Sequence, residues 1–210
     1  MPGKRDGLVT GGDRDWIAFR PGHIERDLEL FRNRTSQYVF ISSASAYAKP
    51  VVRVPITEST PLANPFWQYS RDKIACEERL LQAFREDGFP VTIVRPSHTY
   101  DHTLLPFDPY GGGYTVLDRI LRGRPVVVHG DGTSLWVLTH HQDFARGFVG
   151  LLGHPAAIGE AFHITSDEAT IPFHRGVREI VSYHLRHPER CVVDPTVNEL
   201  MDRLVARFAG

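Results

Sequence analysis

Tyr69 and Lys73 stand four residues apart in Tyr69-Ser-Arg-Asp-Lys73, and upstream a strand-like run closes in Ser42-Ser43-Ala44-Ser45-Ala46-Tyr47. Side chains at i and i+4 of a helix share one face, about 6 Å apart at Cβ. An ammonium beside a phenol favours the phenolate, so Lys73 is expected to lower the Tyr69 pKa from its ordinary value near ~10. A serine hydroxyl aimed at the same point would hold a carbonyl or alcohol oxygen. Together the three groups make a proton-transfer site for the oxygen of a substrate that interconverts alcohol and ketone.

The elements that must position them follow from the pattern. Asp15–Phe19 reads as a short buried strand. Pro21 and Gly22 open a helix with Ile24, Leu28 and Phe31 on one stripe. Tyr38–Ser42 is a β-branched and aromatic strand, so strand, helix and strand imply a right-handed parallel crossover. A Pro-rich loop over 48–65 leads to a helix over Phe66–Glu86, stopped by Gly88. Val91–Val94 is an apolar run expected of a strand covered on both faces. Residues 101–114 read as a flap and Val116–Arg122 as a short helix. Pro125–His129 reads as a strand, Gly130-Asp131-Gly132 as a turn, Gln142–Leu152 as a helix begun by Asp143, and Ala161–Thr165 as a strand. Phe173–His184 is helical by pattern, and Asp194 caps a last helix with Pro195 at its first position. Three blocks result: a loose segment 1–14, a core over 15–168 and a helical C-terminal segment 169–210.

Composition excludes more than it selects. With 41% hydrophobic and 23% charged residues the chain is of the soluble globular kind. A formal net charge of −1 argues against a nucleic-acid or anionic-membrane partner. No apolar run reaches the ~20 residues of a membrane span, and Met-Pro-Gly-Lys-Arg-Asp lacks the apolar centre of a signal peptide. Cys76 and Cys191 form no CxxC pattern. A cytoplasmic protein without structural disulfides is expected. The histidine pairs His140-His141 and His184/His187 have no metal-site partners in sequence, so no metal is expected.

Four segments, YVFISSASAY (38–47), YSRDKIACEERLL (69–81), VTIVRPSHTY (91–100) and VVVHGDGTSLWVLTHHQDFARGF (126–148), resemble in order and spacing the extended short-chain dehydrogenase/reductase superfamily, its NAD-dependent epimerase/dehydratase branch. The resemblance covers roughly residues 15–168. It implies an α/β, Rossmann-like parallel sheet with a small C-terminal substrate lobe. It also implies Tyr69 as acid/base, Lys73 as its pKa modulator and a ribose contact, and Ser43, four residues before Tyr47, as the oxygen-holding donor. The loop Arg95-Pro96-Ser97-His98 corresponds to one that touches nicotinamide and substrate, although Arg95 is read as tying down the strand end. Phe19, Pro96 and Ser97 are candidate cofactor contacts, and His98, Tyr100 and Trp136 candidate substrate contacts. Trp136 stands where the family often has an Arg that grips a nucleotide sugar. Tryptophan cannot bind phosphate bidentately, so an uncharged sugar face suits it better.

No strand, GxxGxxG turn and helix opens the chain, and Gly7-Leu-Val-Thr-Gly11-Gly12-Asp13 lacks the βαβ context. The sheet is therefore expected to be incomplete, with its first βαβ units missing. NAD or NADP, implied by the resemblance, is expected to bind weakly or not at all. The leading expectation is an enzyme acting on a hydroxylated or keto small molecule by Tyr/Lys/Ser acid–base chemistry, an isomerase, dehydratase or cyclase needing no cofactor. The alternative is a non-catalytic remnant or scaffold, and a third reading has a homo-oligomer or a complementing chain supply the missing strands.

Overall fold

The computed structural model describes residues 18–103, 105–106, 113–128, 136–165 and 170–208. They divide into two compact units, one of residues up to 97 together with 144–165, the other of 98–143 together with the C-terminal residues from 166. This partition cuts across the blocks 1–14, 15–168 and 169–210 read from the sequence.

The first unit is built on a parallel three-stranded sheet. Strands β1 (Tyr38–Ile41), β2 (Val91–Val94) and β5 (Ala161–Phe162) lie in the order β1-β2-β5, with Tyr38 opposite Val91 and Ile41 opposite Val94. Helices α1 (Pro21–Phe31) and α2 (Gln68–Asp87) cover one face. Ile24, Leu28, Tyr38, Phe40, Cys76, Leu80, Ala83, Val91 and Ile93 make one core there. Such alternation, with Tyr38 and Phe40 on the helix side and Val39 on the other, is the two-residue period of a strand. The opposite face is covered too. Gln37 Nε2 donates to Thr92 Oγ1 and to the Leu151 carbonyl, both at 2.9 Å, and Thr92 Oγ1 donates to the Ala157 carbonyl at 2.8 Å. All four β2 residues are buried as a result, as a strand covered on both faces requires.

Helix α2 ends at Gly88, whose φ of 66° is the left-handed cap conformation that glycine adopts without steric cost. Its buried residues Ser70, Lys73, Cys76, Glu77, Leu80 and Ala83 recur every three or four positions and form one stripe. The first half of that stripe is polar, so every polar group on it needs a partner. Glu77 finds Arg95, with Arg95 Nη2 to Glu77 Oε2 at 2.6 Å, and also accepts the Ser42 hydroxyl. This pair holds the end of β2 to α2.

The second unit has two parallel strands, β3 (His98–Tyr100) and β4 (Leu138–His140), and helices α3 (Tyr114–Leu121), α5 (Phe173–Arg186) and α6 (Pro195–Phe208). Tyr100, Val116, Leu117, Ile180, Val197 and Met201 form its core. Buried Arg119 ties α3 to α6 through Asn198 and Asp202. Asp194 caps α6, accepting the amides of Thr196 and Val197.

The helices match their expected positions within a few residues; the small strands do not. Residues 125–128 carry no strand, and β4 lies further on, at 138–140. Neither three-residue strand has enough alternation to be read from sequence. Ala18 and Phe19 are not in a strand, and Asp15–Ile17 lie outside the described residues, as do Gly7–Asp13, His129, the turn at Gly130–Gly132 and half of the flap. Helix α4 (His141–Leu151) begins two residues before Asp143, whose carboxylate instead accepts the Thr170 hydroxyl and the Ile171 amide. Both cysteines are free, and no described helix is long and apolar enough to cross a membrane.

Replacing Arg95 by Met leaves Glu77 buried without its counter-charge. Urea unfolding is expected to show a loss of about 3–5 kcal/mol, while the double variant Glu77→Met/Arg95→Met loses clearly less. Equal losses in the two would contradict a tightly coupled pair.

Candidate active site

Ser43 follows β1 in extended backbone and starts a one-turn 3₁₀ segment over Ala44–Ala46. The Ala44 amide donates to the Pro96 carbonyl at 2.9 Å, which fixes this turn against the end of β2. The Ser43 hydroxyl is close enough to the Tyr69 phenol to lower its pKa. Behind it runs a file of side chains that sequence reading missed. Ser43 Oγ lies 2.9 Å from Ser45 Oγ, Ser70 Oγ lies 3.0 Å from Ser45 Oγ, and Asn64 Nδ2 donates to the Ser45 carbonyl at 2.7 Å. The available signal was Ser45 two residues beyond Ser43 and Ser70 directly after Tyr69.

Lys73 is fully buried. Its Nζ donates to the carbonyls of Ala18 at 2.9 Å and Ile41 at 2.7 Å. The same ammonium lies 4.8 Å from the ring centre of Phe40, 5.2 Å from Phe19 and 5.6 Å from Tyr69, the range of cation–π contact. Phe19 and Trp67 flank the phenol, with ring centres 6.1 and 4.8 Å from that of Tyr69. Trp67, another residue the sequence reading passed over, is 55% exposed, so an apolar surface lies open beside the phenol.

The electrostatics correct one expectation. Burial pushes the Tyr69 phenol above its ordinary value, and the Ser43 hydroxyl offsets this only in part. Lys73 lies against the ring and directs its protons at backbone carbonyls, so the lowering expected from its charge does not dominate. Burial lowers Lys73 itself to about 8, opposed by Cys76 and Glu77. At neutral pH the site therefore holds a protonated phenol, a proton donor, over a predominantly charged ammonium.

The remaining candidates separate. Phe19 is at the phenol, and Pro96 is at the Ser43 turn, with Ser97 next in the chain and half-buried. His98 and Trp136 belong to the second unit, where their rings meet edge-on at 5.7 Å. Trp136 is 46% exposed and not a core residue. Tyr100, expected among substrate contacts, is a core residue instead. It is 5% exposed, packed against His140 and Phe173, and a Cβ on Gly176 would lie 2.4 Å from its hydroxyl. Among the described residues no group of three or more His, Cys, Asp or Glu is placed to hold a metal ion.

Residues 26–165 match the NAD dependent epimerase/dehydratase family. The chain belongs to that family. It is 28% identical over 147 residues to the uncharacterised UDP-glucose epimerase YtcB of Bacillus subtilis, a match covering 69% of this chain and 44% of that protein. It is 30% identical over 128 residues to the 2'-dehydrokanamycin reductase of Streptomyces kanamyceticus, covering 61% and 36%. The fold is that of the dTDP-glucose 4,6-dehydratase of Bacillus anthracis solved with NAD, with a TM-score of 0.66 and 19% identity over 80% of this chain and 68% of that one. The chain thus spans less than half the length of these two curated relatives.

Family membership implies NAD, and the residues at hand test the fit. A ribose contact from Lys73 would need a free ammonium, yet this one is enclosed and two of its protons are bound. The chain does hold one G-x-x-G-x-x-G spacing that the sequence reading overlooked, Gly147, Gly150 and Gly153. Gly147 and Gly150 lie within α4 and Gly153 just past its end, where the amides serve the helix and cannot cradle a pyrophosphate. A glycine-rich turn opening a helix, the cradle of a dinucleotide pyrophosphate, is lacking among the described residues, and the Lys73 environment does not fit the dinucleotide.

The Lys73 shift has a pH signature. Its folded pKa, about 8, lies below the unfolded value near 10.5, so the unfolded chain holds the extra proton between them and stability gains as pH rises through that window. Wild type is expected to gain on Lys73→Met between pH 8 and 9 in paired urea melts. Parallel pH profiles would contradict it.

Proposed function

We propose that this protein carries out acid–base chemistry at an oxygen-bearing carbon of a small hydroxylated or keto molecule. Tyr69 gives its proton to the substrate carbonyl oxygen and retrieves it in the reverse sense. Ser43 donates a hydrogen bond to the same oxygen, and the Lys73 ammonium stabilises negative charge that develops on the phenol. The observation carrying this reading is the Ser43 hydroxyl placed beside the Tyr69 phenol, next to an open aromatic surface.

The Phe19 and Trp67 rings favour a substrate with an apolar ring face, such as the flat side of a sugar. The relatives agree in kind: one is named an epimerase of UDP-glucose and another a reductase of a dehydro compound. The proposed reaction is an isomerisation, dehydration or cyclisation in which Tyr69 protonates the oxygen while solvent water takes the proton from the neighbouring carbon.

Two measurements test this. Calorimetric titration with NAD and NADP is expected to give dissociation constants weaker than about 0.1 mM, which is roughly −5.5 kcal/mol. Incubation with a panel of keto sugars in deuterium oxide, followed by proton NMR, is expected to show solvent deuterium entering beside the carbonyl, at least 100-fold slower in Tyr69→Phe. Dinucleotide binding tighter than about 0.1 mM would overturn the cofactor-free reading. Exchange at the same rate in Tyr69→Phe would favour the non-catalytic one.

A further inference from the structure

The second unit carries a cluster that the Tyr69 site does not use. A cavity of about 580 Å³ is bordered by His102 after β3, by His141 at the start of α4, and by Arg175, Arg178, Arg186 and His187 on and after α5. That volume falls in the range of small-molecule sites. Positions 175, 178, 182 and 186 follow the helical spacing, so the three guanidiniums line one stripe of α5 with Ser182 between them.

Charge is unbalanced there. Of the lining residues only Glu179 is acidic. Its carboxylate is already engaged by His140 Nε2 at 3.2 Å and faces Arg175 Nε at 3.7 Å. Among the described residues Arg186 is hydrogen-bonded through Nε alone, which donates to the Ser182 carbonyl at 3.1 Å. Arg178 is exposed and has no hydrogen bond or ion pair among the described residues. Like charges three positions apart on a helix, as at Arg175 and Arg178, destabilise it slightly. Imidazoles crowd the other wall. The rings of His102 and His141 are 5.9 Å apart, His141 and His140 are 4.5 Å apart, and Tyr183 lies 4.8 Å from His102 and 4.6 Å from His187. Burial together with His140 and His102 lowers the His141 pKa, against Asp101 and Glu179, so a further cation is disfavoured unless an anion joins it.

We infer that this cleft binds a phosphate group, held by the guanidiniums of Arg178 and Arg186 from α5 and by the imidazoles of His102 and His141 opposite. Guanidinium presents paired donors that match phosphate oxygens, imidazole adds N–H donors, and the tyrosine and serine hydroxyls complete a set rich in donors. The ligand class is a phosphorylated small molecule, since the cavity holds more than the anion alone.

Inorganic phosphate is the probe, titrated calorimetrically into the intact chain in low-salt buffer. Saturable binding below about 1 mM is expected, with Arg178→Ala at least 10-fold weaker and Arg178→Ala/Arg186→Ala without measurable binding. Arg203→Ala, an exposed arginine of α6 outside the cavity, is expected to bind as wild type does. Circular dichroism checks that each variant keeps its fold. No saturable binding, or equal weakening by Arg203→Ala and Arg178→Ala, would overturn the inference.

Discussion

One buried ammonium sets the terms for the first unit. Two backbone carbonyls and three aromatic rings hold the Lys73 charge, and Glu77 favours it as well. Desolvation of a charge is costly unless each proton is directed at an acceptor. That requirement places the end of β1, the backbone at Ala18 and the first turns of α2 around one point. Tyr69, four residues earlier on α2, is thereby fixed over the same point.

The polar stripe of α2 extends this logic. Ser70, Lys73 and Glu77 occupy positions that a helix packed on a sheet ordinarily gives to aliphatic residues. Each is satisfied by a different neighbour: Ser70 by the hydroxyl file to Ser45, Lys73 by carbonyls, Glu77 by Arg95 and Ser42. A core polar on this scale rigidifies when every member is paired. It sets the Ser43 hydroxyl beside the Tyr69 phenol. The consequence is a site with the phenol and the hydroxyl side by side while the Lys73 ammonium faces inward.

Sequence reading reached far for the large elements and fell short for small ones. The Tyr38–Ser42 strand, the Val91–Val94 strand and the helices read from Phe66, Phe173 and Pro195 declared themselves by period and caps, the first of them starting two residues later, at Gln68. Strands β3 and β4 did not, because three residues cannot establish alternation. Among site residues, the spacing of Ser43, Tyr69 and Lys73 was legible, since helix geometry makes i and i+4 neighbours. The direction of the Tyr69 shift was not legible. It depends on how deeply the phenol is buried and on where the Lys73 protons point, neither of which is encoded in spacing. Tyr100 was misplaced for the same reason. At a strand's end it faced the interior, where Gly176 makes room for its hydroxyl.

The central claim is that the Ser43 hydroxyl and Tyr69 phenol meet at one oxygen position. NMR titration of protein labelled at the tyrosine ζ carbon, with Tyr69→Phe to assign the signal, tests it directly. The account predicts that Tyr69 titrates above an ordinary tyrosine and that Ser43→Ala moves it higher still, because the neighbouring hydroxyl lowers its pKa. A Tyr69 pKa at or below the ordinary value, or one unmoved by Ser43→Ala, would contradict it.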